Sequence, residues 1–265
     1  MMLNDYFAES VKHVAVKAAE FIEENFGAVR QSDIVTKDLN SLVSYVDVGA
    51  EKIIIEGLSK ILPDSTFLAE EGGGGEQTEG DVRWIVDPLD GTTNFLHQIP
   101  VFAVSIALQV KGEIVFGLVY EVNRKECFHA IKGKGAFLNN EPIKPKEPEL
   151  SDAMIATGFP YYDFSKAEEY LRVINDIIRS TRGLRRMGAA AVDLAYVACG
   201  RFDGFFEYSL SPWDVAAGAL IVQEAGSVVT DFKGGDDWLF GESIVAGSPQ
   251  IHQGLLQLLI KHFGS

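Results

Sequence analysis

The sequence is poor in cysteine and histidine, and its apolar runs are short. It has 2 cysteines, and Cys127 and Cys199 lie far apart in apolar surroundings. That spacing excludes a disulfide framework and predicts buried thiols of a reducing compartment. The 5 histidines are scattered, and none has a partner at the spacing of a zinc site. Any metal chemistry must therefore come from oxygen ligands.

Positive charge is also scarce. There are 23 Lys and Arg residues against 38 Asp and Glu residues, which gives a net charge of −15. So acidic a surface repels polyanions, and this excludes non-specific binding of nucleic acid or of an anionic membrane. An acidic protein that acts on an anionic substrate needs cations to screen the charge.

No stretch of the chain is long and apolar enough to cross a membrane. The apolar run that starts at Val101 is interrupted by Lys111. The first residues carry acids where a secretory signal has a basic region and an apolar core. We expect a cytoplasmic protein with no membrane partner.

Length and periodicity predict a layered α/β fold. The 265 residues, 47% of them hydrophobic, suit one domain over 1–265 with two packed halves of about 1–145 and 146–265. Helical spacing predicts helices over 3–26, 46–62, 165–180, 188–199, 213–225 and from 249 onwards. Strands are predicted over 66–69, 84–86, 101–110, 114–120, 128–131, 153–157, 204–207, 227–231 and 243–247. Hairpin signals between them indicate a partly antiparallel sheet.

The stretch Trp84–Phe95, WIVDPLDGTTNF, runs from a predicted buried strand into two acids. Pro88 favours extended geometry at Asp87, and Asp90 stands where the N-cap of a following helix is expected. One interpretation is purely structural, with Asp87 ending a strand and Asp90 capping a helix. The other is that both carboxylates face one spot beside a helix N-terminus, which suits divalent cations and a phosphate.

Two further acidic positions favour the second interpretation. Glu70 and Glu71 end a predicted strand and open a glycine-rich loop, GGGGEQTEGD. The segment SPWD places Asp214 at the start of a predicted helix, in a capping-box arrangement. Each position alone is explained as a solvated turn or a cap. Taken together, oxygen ligands at three element ends indicate Mg²⁺ rather than zinc.

The three segments together resemble the inositol monophosphatase family of Mg²⁺-dependent phosphatases. The similarity runs from about Leu42 to Asp231 and rests on the acidic pair at Glu70, on DPLDGTTNF and on PWDVAAGALIVQEAG. The resemblance implies a layered α-β-α-β-α sandwich with mixed, partly antiparallel sheets. It also implies a homodimer, a small phosphomonoester substrate and a Mg²⁺ cofactor.

The resemblance further assigns roles to individual residues. It implies that the metal ligands are Glu70, Asp87, the Leu89 carbonyl, Asp90 and Asp214. It implies that catalysis uses Glu70, Thr92 and Asp47, the last as hydrogen-bond partner of the threonine. The substrate-binding positions it implies are Gly91 and Thr92 for the phosphate, and Gly188, Ala189, Ala190 and Glu207 for the alcohol part.

The function implied is hydrolysis of a phosphate monoester, with inositol 1-phosphate as the first candidate. Two alternatives stay open. One is activity as a fructose-1,6-bisphosphatase or another sugar or polyol phosphatase. The other is a regulatory binding protein of the transcription machinery in which phosphatase activity is secondary. The pair Arg185-Arg186 is read either as a solvated basic pair or as a contact for an anionic substrate or partner.

Overall fold

The computed structural model describes residues 3–38, 41–73, 80–160 and 163–264. Most of the predicted glycine-rich loop after Glu71 lies outside these ranges. The helices of the described chain are α1 Asp5–Asn25, α2 Tyr45–Ile61, α3 Thr92–Leu96, α4 Ala167–Ser180, α5 Ala190–Ala198, α6 Pro212–Glu224 and α7 Pro249–Phe263. None of these described helices combines the length and the apolar composition of a membrane span.

The strands form two large sheets and one short hairpin. In chain order they are β1 Val35–Asp38, β2 Ser41–Val43, β3 Thr66–Ala69, β4 Val82–Asp90, β5 Ala103–Val110, β6 Glu113–Glu121, β7 Glu126–Ile131, β8 Ala136–Leu138, β9 Glu141–Pro142, β10 Met154–Thr157, β11 Gly183–Arg185, β12 Gly204–Tyr208, β13 Val228–Thr230 and β14 Ser243–Gly247. The hairpin pairs β1 with β2.

Both large sheets are mixed. The seven-stranded sheet runs in the order β3 to β9, with β3 parallel to β4 and every other pair antiparallel. The five-stranded sheet has the order β11-β10-β12-β14-β13, and β10 is parallel to both of its neighbours. Mixed, partly antiparallel sheets are therefore confirmed.

The protein has five layers, and three hydrophobic cores fill the spaces between them. The first core packs α1 and α2 on one face of the seven-stranded sheet, and Trp84 and Phe116 lie within it. The second holds α5 and α6 between the two sheets. The third packs α4 and α7 on the outer face of the five-stranded sheet, around Phe206. The order helix, sheet, helix, sheet, helix confirms the predicted α-β-α-β-α sandwich.

The middle helices touch protein on both sides, and small residues make this possible. A Cβ added at Gly117 of β6 would lie 2.6 Å from the Ala217 carbonyl oxygen of α6. A Cβ added at Gly218 would lie 2.6 Å from the Cβ of Leu194 on α5. The close approach explains why these helices are rich in alanine and have no polar face. It also brings their N-termini to the ends of the strands, where the site lies.

Candidate active site

A cavity of about 120 Å³ collects nearly all of the residues that the sequence singled out. Its lining includes Glu70, Asp87, Leu89, Asp90, Gly91, Thr92, Gly188, Ala189, Ala190, Glu207 and Asp214. These residues come from both large sheets and from the first turns of α3, α5 and α6. Asp47 does not line the cavity and instead lies behind Thr92.

The end of β4 supplies three of the predicted ligands, Asp87, the Leu89 carbonyl and Asp90. The pairing of β4 with β5 is irregular between Asp87 and Asp90, where Pro88 interrupts the ladder. The Leu89 N–H donates to Asp87 Oδ1 over 2.9 Å, which holds this carboxylate against its own turn. Glu70 follows the parallel strand β3, and its N–H donates to the Val86 carbonyl. Parallel pairing thus brings Glu70 beside the end of β4.

Asp90 does not cap the helix that follows it, so that interpretation of the sequence was wrong. Gly91 holds the N-cap position of α3, with φ +92°. The carboxylate of Asp90 instead accepts the N–H groups of Ala190 and Ala191, over 3.2 and 2.9 Å. The left-handed turn at Gly91 separates Asp90 from α3. The first turn of α5, whose N-cap Ala189 has no side-chain acceptor, receives the carboxylate instead.

Gly91 leaves no room for a side chain. An added Cβ would lie 2.9 Å from the Val101 carbonyl oxygen and 3.3 Å from the Ala189 Cβ. The positive φ and the missing Cβ are both required at this position. The backbone of Gly91 is therefore exposed to the cavity without a side chain to cover it.

Thr92 is held by Asp47 across 45 positions of the chain. Its Oγ1 lies 2.7 Å from Asp47 Oδ1 and 3.0 Å from the Leu89 carbonyl oxygen. Asp47 is buried in the first turn of α2, and its Oδ2 accepts both the N–H and the hydroxyl of Ser44 over 2.8 Å. With Asp47 fixed in this way, the hydroxyl hydrogen of Thr92 is directed towards acceptors, and its oxygen can accept a further hydrogen bond.

Asp214 lies at the third position of α6, as the capping-box pattern predicts. The Ser211 N–H donates to Asp214 Oδ2 over 2.7 Å. Trp213, the residue before Asp214, is held to β5 of the seven-stranded sheet, because the Ser105 hydroxyl donates to the Trp213 carbonyl over 3.2 Å. The bond fixes the start of α6 against β5 and so fixes Asp214 relative to β4.

Asp87, Asp90 and Glu207 are buried and Glu70 and Asp214 are half-buried, and the acids of the cavity repel one another. Burial, followed by the charge of Glu70, raises the pKa of Asp87 well above its usual value. Burial raises the pKa of Asp90 to about 7, although the hydrogen bond from Ala191 opposes the shift. Burial, with a smaller contribution from Asp90, also raises the pKa of Asp214 to about 7. Such a cluster favours either protons or cations as counter-charge.

The donor set fits a hard cation that keeps part of its water shell. Among the described residues, no three His, Cys, Asp or Glu side chains close around one point. A cation here would be held by one or two carboxylates, with the Leu89 carbonyl and water completing its shell. Mg²⁺ is usually bound in this manner.

The end of the cavity beside Glu207 contains residues to which the sequence analysis gave no site role. A Cβ added at Gly158 would lie 1.9 Å from Glu207 Oε1, so Gly158 makes space for that carboxyl group. Burial raises the pKa of Glu207 well above its usual value, and Arg186 opposes the shift. Leu42, Thr93, Ser209, Leu210, Ser211 and Trp213 complete the lining, together with Arg186. Ser209, Leu210 and Ser211 are consecutive loop positions without a recurring pattern, whereas Arg186 was visible as half of a basic pair.

Comparison with known proteins gives the family. The family model described as the inositol monophosphatase family matches residues 3–263, and the chain belongs to this family of phosphatases. The putative Nus factor SuhB of Neisseria meningitidis serogroup B is 46% identical over 228 residues, which is 86% of this chain and 87% of that protein. Inositol-1-monophosphatase of Mesorhizobium japonicum is 44% identical over 248 residues, 93% of each. The crystal structure of extragenic suppressor protein suhB from Bartonella henselae superposes with a TM-score of 0.91 at 43% identity, covering 96% of this chain and 98% of that one.

Proposed function

We propose that the protein is a Mg²⁺-dependent phosphomonoesterase and that inositol 1-phosphate is its first candidate substrate. The observation that carries the proposal is the set of four carboxylates, Glu70, Asp87, Asp90 and Asp214, around one small cavity. Buried acids that raise one another's pKa are costly unless a cation neutralises them. The substrate class is supported by the name of the Mesorhizobium japonicum relative.

The proposed metal ligands are the four carboxylates and the Leu89 carbonyl, shared between more than one Mg²⁺ so that each ion is held by one or two carboxylates. When bound, Mg²⁺ supplies an acidified water as nucleophile and stabilises the charge of the leaving alcohol. The protein's own side chains position the reacting groups. Glu70 and Thr92 orient the attacking water, and Asp47 orients Thr92 through the 2.7 Å hydrogen bond.

Phosphate binding is assigned to Gly91 and Thr92. The first N–H groups of a helix have no partner inside it, and they favour an anion. Gly91 allows the phosphate to approach the backbone, because its position has no Cβ. The alcohol part would then extend towards Gly188, Ala189, Ala190 and Glu207.

Hydrolysis of inositol 1-phosphate with and without Mg²⁺ tests the proposal. We expect phosphate release only with Mg²⁺, and inhibition by excess Ca²⁺, which enters oxygen sites but prefers longer bonds and looser geometry. Full activity of protein freed of metal by EDTA would refute the metal requirement. A panel containing fructose 1,6-bisphosphate tests the sugar-phosphatase alternative, for which Arg186 in the cavity lining offers a cation to a second phosphate.

A second candidate function is a regulatory contact with the transcription machinery. It is favoured by the relative from Neisseria meningitidis, which is named as a putative Nus factor. The net charge of −15 favours a protein partner over direct contact with nucleic acid. Co-purification of transcription proteins with wild type and with Asp90→Asn separates the two functions. Equal capture by both forms would show that the contact is independent of phosphatase activity.

A further inference from the structure

Ser209 has a backbone conformation that serine rarely adopts. Its φ is +65°, in the left-handed region, directly after the last residue of β12. A side chain at such a position is strained, whereas glycine adopts it freely. Strain of this kind occurs often at binding and catalytic sites, where the surrounding structure holds it in place. The position therefore invites a functional explanation for the side chain.

Ser209 is also a wall of the candidate active site. It lines the cavity together with Glu207, two positions earlier in the chain. The residue is half-buried, and within the described part of the chain its hydroxyl makes no hydrogen bond. This hydroxyl is not among the described buried polar atoms that lack a partner, so it remains accessible from outside the protein. Its donor and its acceptor are both available to a bound molecule.

Ser209 lies on a different side of the cavity from Gly91 and Thr92, the proposed phosphate contacts. Ser209 and Glu207 belong to the five-stranded sheet side of the cavity, whereas Gly91 and Thr92 follow the seven-stranded sheet. The hydroxyl of Thr92 is already bonded to Asp47. A group that contacts Ser209 is therefore the part of a substrate that extends away from the phosphate, towards Glu207.

We propose that Ser209 is a specificity residue whose hydroxyl hydrogen-bonds a hydroxyl group of the alcohol part of a polyol phosphate, beside Glu207. The inference rests on the proposed phosphomonoesterase function and extends it to the choice of substrate. A polyol hydroxyl both donates and accepts, as the serine hydroxyl does, so the pair is complementary. An aryl group without hydroxyls offers no such hydrogen-bond partner. The serine hydroxyl therefore contributes to binding of the polyol alone, whereas the strain of the left-handed backbone is present with either substrate.

Two substitutions of Ser209 separate the hydroxyl from the backbone strain. Ser209→Ala removes the hydroxyl and keeps the strained Cβ. Ser209→Gly removes both, and relief of strain should raise the Tm by about 1–3 °C. Lys111→Gly is the matched control, because Lys111 also has a positive φ, of +51°, in the turn between β5 and β6. It should raise the Tm similarly without changing either substrate's kinetics.

The test compares inositol 1-phosphate with a simple aryl phosphate at fixed Mg²⁺. We expect both Ser209 variants to raise KM for inositol 1-phosphate, with a fall in kcat/KM of about three- to ten-fold, the value of one neutral hydrogen bond. Hydrolysis of the aryl phosphate should stay within about two-fold of wild type, because that substrate never used the hydroxyl.

The outcomes distinguish this inference from the proposed function. Equal losses of kcat/KM on both substrates would show that Ser209 supports the structure of the site rather than substrate choice. That result would overturn the inference and leave the proposed phosphatase function standing. Unchanged KM for inositol 1-phosphate in both variants would also overturn it. Failure of the wild-type protein to hydrolyse either substrate with Mg²⁺ would refute the proposed function, and the inference with it.

Discussion

Asp90 and Ala191 are joined by a hydrogen bond of 2.9 Å, from the N–H of Ala191 to Oδ2 of Asp90, across 101 positions of the chain. The bond ties the end of β4 to the first turn of α5. One carboxylate thus caps a helix in the middle layer and also lines the cavity. Its structural role and its proposed role as a metal ligand can be separated by substitution.

Asp90→Asn should lower kcat by about 100-fold or more and weaken Mg²⁺ binding, because the charge proposed to hold the cation is lost. The fold should survive, since the asparagine oxygen can still accept an N–H of α5. We expect a change in Tm of no more than about 4 °C. Measurements of kcat, of Mg²⁺ affinity and of Tm on the same preparation check all three expectations.

Asp203→Asn is a matched control for that substitution. Asp203 is also buried, and its Oδ2 accepts the Met154 N–H over 2.7 Å, but it does not line the cavity. The control should shift the Tm comparably and leave kcat unchanged. A kcat for Asp90→Asn within a few-fold of wild type would mean that Asp90 serves only as a cap.

Thr92→Ala should reduce kcat by about 100-fold, the cost of a misplaced nucleophile, with little change in Tm. Thr92→Ser, which keeps the hydroxyl and its hydrogen bond to Asp47, should recover most of the activity. Both variants should be compared by kcat and by thermal unfolding. If Thr92→Ala instead lowers the Tm strongly and Thr92→Ser does not restore turnover, the threonine belongs to the scaffold.

Removal of metal should make stability depend on pH in a defined direction. The pKa values of Asp90 and Asp214 are raised from 3.8 to about 7 in the folded chain. A raised pKa means that the folded state binds the proton more tightly. The stability gained from these groups is therefore present below about pH 4 and is lost as the pH rises through about 7.

We therefore expect the Tm of EDTA-treated protein to fall as the pH is raised from about 5 to about 8. Added Mg²⁺ should raise the Tm more at about pH 8 than at about pH 6, since protons compete with the cation. Thermal unfolding at several pH values, with and without Mg²⁺, measures both trends. An equal Mg²⁺ effect at both pH values would contradict binding by these carboxylates.

Gly91→Ala should destabilise the protein and reduce its activity. Alanine would be strained at φ +92°, and its Cβ would lie 2.9 Å from the Val101 carbonyl oxygen. Gly112→Ala is the matched control, because Gly112 has φ +84° and nothing within 4 Å of an added Cβ. The control should show the strain alone, about 1–2 kcal/mol, with activity unchanged. Similar Tm losses in the two variants would mean that the contact with Val101 is relaxed at no cost.

Local patterns in the sequence were sufficient for most of the longer helices and strands, but short strands such as β1, β2 and β11 were not predicted, and the order of the layers came from the family resemblance. The strand predicted over 66–69 agrees with β3, and the predicted start of α6 agrees with the capping arrangement of Asp214. Alternating and helical periodicities are properties of neighbouring residues, so they can be read along the chain. The family resemblance supplied the set of site residues, whose roles stay predictions.

The partners of individual side chains could not be read in the same way. Asp90 was expected to cap the helix beside it, but it caps α5 instead, because this depends on how two distant segments pack. The left-handed backbone at Ser209 is likewise imposed by its surroundings, since serine has no preference for it. Gly158 is notable only because Glu207 occupies the space in front of it.

The position of α5 and α6 between the sheets has a consequence for biosynthesis. The seven-stranded sheet is complete by Pro142, but its inner face, with Ile85 and Phe128, is covered by helices that end only at Glu224. On a ribosome that adds about 5–20 residues per second, this apolar face stays uncovered for several seconds after its strands exist. The nascent chain is therefore most exposed to aggregation and to chaperone capture in that interval. Substitutions that weaken α6 should consequently lower the yield of folded protein by more than the change in Tm of the folded molecules accounts for.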